Sequence, residues 1–329
     1  MLPGNLDVAI LIPCHNEEMA IAAVVRDFRA QLPEARIYIF DNNSSDDTVR
    51  VASEAGAIVR FESEQGKGNV VRRMFADVDA DVYVLVDGDG TYDAAAVCPA
   101  LELMLESGLD VVNIARESDS QGSYRRGHRF GNQLLTGMVR AIFGPRFSDM
   151  LSGYKVLSRR FVKSFPALAR GFETETELAV HALELGMPVG EIRAHYRERT
   201  PGSSSKLRTV RDGLLILVTI AKLVRDEKPL AFFSGWAALF TILALVLAWP
   251  LALTYMATGL VPRLPTAILC TGLVILACLS LTCGLILDTV SRGRHEMKRL
   301  AYLALPAADH ALSQRAQRAD RTIHVIDPD

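Results

Sequence analysis

The stretch from Asp81 to Asp93, DVYVLVDGDGTYD, sets Asp87 and Asp89 one glycine apart at the end of an apolar run, with Asp93 close behind. Ionised carboxylates this close repel, and they are rarely buried without a partner. A hard divalent cation such as Mg2+ or Mn2+ would resolve the conflict, because such ions take few carboxylates, some water and phosphate oxygens. It would act as a Lewis acid on a departing diphosphate. The bland alternative is a solvated turn, and D-x-D alone does not separate the two.

Further residues bear on the choice. Asp41 ends the apolar run RIYIFD, and the following NNSSDDT could shape a pocket in which its carboxylate meets a base N–H. Asn43 and the serines there serve equally as turn or N-cap residues, and Thr48 suits helix initiation. Lys67 stands between Gly66 and Gly68 at the start of a helical pattern. That suits close approach to a nucleotide, with the lysine against base or phosphate, although a lone GKG is a plain loop in most sequences. Asp149 opens DMLSGYKV, a polar break after a helical segment.

The elements that must hold these residues follow from the apolar pattern. Residues 7–13 predict a buried strand, 17–32 a helix, 36–41 a strand, 48–55 a helix, 57–61 a strand, 68–77 a helix and 82–86 a strand. Such alternation predicts a parallel, doubly wound α/β sheet, whose ligands bind beyond the carboxyl ends of the strands. HNEE, DNNSSDDT and DGDGTYD all fall at those ends.

The rest of the chain differs in character. No Asp, Glu, Lys or Arg occurs from Pro229 through Pro262, nor from Leu264 through Leu287. Each run exceeds the roughly 20 residues a helix needs to cross a bilayer, and buried core helices seldom run so long without a charge. Spans are expected near 230–256 and 265–287, within a segment 229–290. Arg208, Arg211, Lys222, Arg225 and Lys228 precede them, and Arg292, Arg294, Lys298 and Arg299 follow, against Arg263 alone in the loop. The positive-inside rule then puts both ends of a hairpin in the cytoplasm. Residues 208–228 read as an amphipathic helix in the membrane interface or, alternatively, as an ordinary surface helix. Residues 291–329 read as a cytoplasmic tail. The N-terminus shows no secretory signal pattern. The formal charge of -2 makes no global case for nucleic-acid binding. Five cysteines without a CxxC pair argue against a disulfide framework or zinc site.

In order, Pro13, Asn16, Glu17 and Glu18 (P-x-x-N-E-E), Asp41–Thr48, Gly66–Gly68 and Val86–Asp89 resemble glycosyltransferase family two, the GT-A fold. Asp149–Tyr154, the acidic Glu173–Glu177 segment and Arg199–Lys206 (R-x-x-G-x-S-x-K) extend the match, which covers residues 7–207. The pattern is most similar to the polyprenyl-phosphate branch, with dolichol-phosphate mannosyltransferase and bacterial undecaprenyl-phosphate glucosyltransferases. The resemblance implies a catalytic domain over 1–207 on the cytoplasmic face of the inner membrane. It implies that Pro13, Asn16, Glu17, Asp41, Asn43, Lys67, Asp87 and Glu177 bind the donor, and that Asp87 and Asp89 hold Mg2+ or Mn2+. Asp89, Asp149, Arg199 and Lys206 are the implied catalytic set, the last two flanking a Gly/Ser stretch able to act as a lid. Arg116 and one or more of Arg125, Arg126 and Arg129 are implied for the lipid phosphate.

The implied reaction moves a sugar from a nucleotide-diphosphate-sugar, UDP favoured over GDP, to undecaprenyl or dolichyl phosphate, with inversion. A phosphate acceptor is largely dianionic at neutral pH and needs no strong base. Two rivals stand beside this. One is a family-two enzyme with another membrane acceptor or a processive synthase, but neither Trp236 nor Trp249 follows an arginine as Q-x-x-R-W requires. The other is an inactive nucleotide-binding membrane protein. The apolar helices could also pair with copies of themselves.

Overall fold

A computed structural model describes residues 6–117, 137, 146–171, 173–197, 222 and 225–307. The chain divides into two compact units, one comprising 1–213 together with 298–329, the other 214–297.

In the first unit β1 (Val8–Cys14), β2 (Arg36–Asp41), β3 (Ile58–Phe61), β4 (Val82–Leu85), β5 (Val111–Glu117), β6 (Lys155–Ser158) and β7 (Val189–His195) form one sheet in the order β3-β2-β1-β4-β6-β5-β7. The strands β1 to β4 pair in parallel as the sequence predicts. β6 runs antiparallel to both its neighbours, so the sheet is mixed. Helices α1 (Ile21–Gln31), α2 (Thr48–Glu54), α3 (Lys67–Asp77), α4 (Val97–Glu106), α5 (Arg159–Ser164) and α6 (Thr174–Glu184) complete the unit. Alternation along each strand divides the core between two faces. Ile10, Ile12, Val82, Val84 and Val156 pack in one core cluster with Ile21, Val25 and Phe28 of α1 and with Val97 and Leu101 of α4. On the opposite face Phe75 of α3 meets the ring of Tyr83 edge-on. Each fully buried aliphatic side chain contributes about 1.5–3 kcal/mol.

The topology changes direction between β1 and β4. β1 leads outward to β2 and β3 on one side and pairs with β4 on the other. The β1–β4 register ends at Leu11 and Leu85, with Val86 donating to the Leu11 carbonyl. Pro13 has no N–H to extend the ladder, so the strands part there.

Elsewhere in the sheet, Asp110 stands immediately before β5 and is fully buried. It accepts from Arg160 at 2.5 and 2.8 Å, from the Ser158 hydroxyl at 2.7 Å and from the Tyr302 hydroxyl at 2.8 Å. The Arg160 guanidinium lies 4.7 Å from the Tyr302 ring centre, and Lys298 pairs with Glu184 at 2.6 Å. Removing one partner of a buried ion pair is expensive. Arg160→Ala is therefore expected to cost about 3 kcal/mol, read as a lowered midpoint of chemical unfolding.

The second unit contains α7 (Pro229–Thr258) and most of α8 (Leu264–Leu303), both long and apolar enough to cross a membrane. Gly259, at φ 68°, ends α7 in the left-handed conformation that favours glycine. Gly284 of α8 lies against Leu230 and Phe233 of α7, so a residue near the middle of one helix meets the start of the other. Most of their other large apolar side chains, among them Leu245, Trp249, Leu276 and Ile286, are exposed. α8 extends well past the expected span end at 287 and into the segment read as tail. Most of the expected interface helix, 208–228, lies outside the described residues.

Candidate active site

The loops leaving β1 and β2 are laced together at the point where the sheet opens. Asn16 donates from its backbone to the Ser44 hydroxyl (2.9 Å) and accepts from Ser45 N (2.8 Å). Glu17 N reaches the Thr48 hydroxyl, Glu18 N reaches Asp46, and Asp47 N returns to the Glu18 carboxylate. Asn16 and Asn43 take positive φ, 56° and 62°, which short amide side chains tolerate. Asn43 donates to the Ser63 carbonyl. These asparagines build the rim. Glu17 and Glu18 are engaged in this crossing, and a turn closed by Ala20 N and Ile21 N on the Glu17 carbonyl leads into α1.

Asp41 is buried at the end of β2. Its Oδ2 accepts from Ser44 N at 3.1 Å, while Oδ1 is buried with no hydrogen-bond partner. Such an acceptor costs free energy until a donor meets it. Nearby, burial and then the carboxylates of Glu17, Asp41, Asp87 and Asp89 push the Cys14 thiol well above its ordinary range. Four of the acids read from sequence therefore lie within electrostatic reach of Cys14 at the end of β1.

Lys67 projects into this acidic region, its side chain 11% exposed. It bonds Asp87 at 2.5 Å and also the Glu175 carboxylate. Burial alone would lower its pKa, but the two carboxylates outweigh that and hold the ammonium charged. The flanking glycines also make room for a loop. A Cβ on Gly66 or Gly68 would sit 2.2 Å from the carbonyl oxygen of Arg170 or Ala169, so both glycines admit the 165–171 loop against the start of α3. Glu177 holds that same loop, accepting from Leu168 N and Ala169 N at 2.9 Å. The acid that meets Lys67 is Glu175, buried in the first turn of α6, with its Oε2 lacking a hydrogen-bond partner.

Asp89 is buried and accepts from the backbone and hydroxyl of Thr91, the latter at 2.6 Å. Beside Asp87 stands Gly153, whose N–H donates to the Tyr92 hydroxyl at 2.7 Å. A Cβ at Gly153 would lie 2.2 Å from Asp87 Oδ2. Asp87 and Asp89 are hard-oxygen donors of the kind Mg2+ and Mn2+ take. Among the described residues no cluster of three His, Cys, Asp or Glu forms a closed metal site. An ion held by this pair would have to complete its shell with water and ligand oxygens.

Arg116, at the far end of β5, binds Asp149 through two bonds of 2.7 and 2.9 Å and lies 5.6 Å from the Tyr196 ring centre. Burial would raise the Asp149 pKa, but Arg116 overrides it and holds the carboxyl below its usual range. Asp149 is thus kept as an anion and is a poor proton acceptor. Arg125, Arg126, Arg129, Arg199 and Lys206 lie outside the described residues, as does the Gly/Ser stretch between the last two.

A carboxylate with an open acceptor, an acid pair and a buried lysine, gathered where a doubly wound sheet changes direction, define a domain of the GT-A class. The chain belongs to glycosyltransferase family 2. The model named "Glycosyl transferase family 2" matches residues 9–165. Glycosyltransferase AglJ of Haloferax volcanii is 34% identical over 250 residues, covering 75% of this chain and 82% of the relative. A dolichyl-phosphate hexose transferase of the same organism is 26% identical over 223 residues, covering 68% of this chain and 96% of the relative. Among solved structures, mannosyl-3-phosphoglycerate synthase from Rubrobacter xylanophilus superposes with TM-score 0.57 at 22% identity, over 68% of this chain and 75% of the other. Glucosyl-3-phosphoglycerate synthase from Mycobacterium tuberculosis, solved with Mn2+, UDP and phosphoglyceric acid, superposes with TM-score 0.55 at 22% identity, over 67% and 78%.

Proposed function

We propose that this chain transfers a sugar from a nucleotide-diphosphate-sugar, with UDP favoured, to the phosphate of a membrane polyprenyl lipid. The observation carrying this reading is the presence in one chain of a family-two domain, with Asp41, Lys67, Asp87 and Asp89 gathered at the sheet opening, and two helices long enough to cross a bilayer. The dolichyl-phosphate hexose transferase relative, and the metal and UDP held by the synthase of similar fold, support it.

In this reading Asp41 Oδ1 accepts from a base N–H, and Glu17 and Asn43 belong to the same donor pocket. Asp87 and Asp89 hold Mg2+ or Mn2+, which when bound supplies neutralising charge to the diphosphate. Lys67 adds a fixed cation beside Asp87. Arg116 and Asp149 form the acceptor side, with Arg125, Arg126, Arg129, Arg199 and Lys206 as further cations toward the two phosphates. A dianionic acceptor phosphate attacks without a general base, which suits an Asp149 held ionised by Arg116. In-line attack inverts the anomeric centre. Residues 229–290 form a membrane hairpin with 208–228 in the interface, and the catalytic domain faces the cytoplasm.

The test uses the full chain in detergent with undecaprenyl phosphate, a panel of UDP- and GDP-sugars, and Mg2+, Mn2+ or excess chelator. Metal-dependent formation of a polyprenyl-phosphate sugar is the expected outcome. Full activity in chelator, or glycosylation of another acceptor with polyprenyl phosphate untouched, overturns the reading. Asp41→Ala is expected to raise the apparent KM for the donor about tenfold to a hundredfold while leaving that for the lipid near its wild-type value.

A further inference from the structure

Behind the Asp149–Arg116 pair lies a lysine that none of these roles uses. Lys155 opens β6 between Leu85 of β4 and Asn113 of β5, and it is 2% exposed. A buried ammonium is costly unless its donors are met. Among the described residues Lys155 Nζ has one hydrogen-bond partner, Asn113 Oδ1 at 2.6 Å.

That single bond has a geometric result. With its oxygen turned to the ammonium, the Asn113 amide must present Nδ2 the other way. Nδ2 donates to the Asp149 backbone carbonyl and to Glu191 Oε2, both at 2.9 Å. Glu191 in turn accepts from Ser148 N at 3.0 and 3.1 Å. Asp149 directly, and Ser148 through Glu191, are therefore tied to one amide whose oxygen Lys155 holds.

Charges face Lys155 from several elements. Asp149 and Glu175 of α6 favour its charged form, while Arg116 of β5 and Lys67 of α3 oppose it; Glu191 of β7 is reached through Asn113. Burial outweighs the carboxylates and brings the lysine down to about 8. It is charged below that pH and loses its charge above it.

We infer that Lys155 is a positioning residue for transfer: through Asn113 it holds the Asp149 backbone, and with it the Asp149–Arg116 pair, where the acceptor phosphate docks. The inference rests on the reading that this pair forms the acceptor side. A misplacement of about 1 Å at a reacting group costs roughly a hundredfold in rate.

The experiment compares the full-length wild type with Lys155→Met, Lys155→Arg and Asn113→Ala in detergent, by steady-state kinetics from about pH 6 to about pH 10. Lys155→Met is expected to lower kcat/KM for undecaprenyl phosphate about a hundredfold, with the KM for nucleotide-sugar changed less than about twofold. Wild-type kcat/KM for the acceptor should fall as pH rises through about 8. Lys155→Arg should move that fall to higher pH, because a guanidinium keeps its proton. Asn113→Ala should reproduce the acceptor-side loss with the lysine in place, which keeps the test decisive if Lys155→Met does not fold. Wild-type acceptor kinetics in a folded Lys155→Met or Asn113→Ala variant overturns the inference, as does an alkaline fall unchanged by Lys155→Arg. The variants are compared on whichever acceptor the wild type uses. A failure of the polyprenyl phosphate reading therefore appears in the wild type alone, separately from any failure of Lys155.

Discussion

Asp89→Ala is expected to reduce kcat by about a thousandfold, the largest single loss anticipated for a substitution in this chain. Asp89 is buried, sits two residues beyond Asp87, and is oriented by two bonds from Thr91. Its truncation removes half of the acid pair and also leaves the Thr91 donors unmet. Asp89→Asn separates these effects, since the amide oxygen can still accept from Thr91 but the charge is gone. If the charge is what matters, both variants lose turnover and only Asp89→Ala loses stability. Single-turnover rates measured alongside thermal midpoints check this. An Asp89→Asn variant as active as wild type would rule out a role for the pair in holding a cation.

The second large effect is expected from adding one methyl group. Gly153→Ala would bring a Cβ to 2.2 Å from Asp87 Oδ2. Backbone and strand pairing on both sides restrict any escape, since Tyr154 and Lys155 lead straight into β6. The Asp87 carboxylate must turn away, disturbing its bond to Lys67. A loss of about a hundredfold in turnover follows from such a displacement, although no charged or polar side chain has been altered. Gly293→Ala, where nothing lies within 4 Å, is the matched control and should be silent. Equal activities for the two variants would show that Asp87 has more freedom than this packing allows.

The first half of the catalytic unit was legible because its strands are short apolar runs closed by turn residues. β2 ends in Asp41, and the other residues that gather at the sheet opening follow within a few positions of the ends of β1 and β4. The second half resists such reading because tertiary partners satisfy its buried polar groups. β5 carries buried Asn113 and β6 opens with buried Lys155, so neither looks like a clean apolar strand, and the antiparallel course of β6 has no local signal. In E-T-E-T-E the choice between Glu175 and Glu177 depends on helix phase. Two residues apart on a helix, they point about 200° apart, one toward Lys67 and the other toward the 165–171 loop. The glycines around Lys67 were visible, but what they admit was not, because the loop they accommodate lies about a hundred residues away.

The catalytic unit is discontinuous in sequence: the chain leaves it, forms both apolar helices, and returns at residue 298 to complete it. During synthesis, Arg160 and Asp110 emerge long before Tyr302, and Glu184 long before Lys298. The unit therefore receives these two side-chain ties only after the apolar segments have been made. A soluble fragment cut ahead of those segments would lack both ties permanently. Tyr302 covers the Arg160 guanidinium and donates to Asp110, so such a fragment would present an unshielded arginine and a less fully bonded carboxylate just before β5. Supplying residues 298–303 to such a fragment would return both partners, Lys298 and Tyr302.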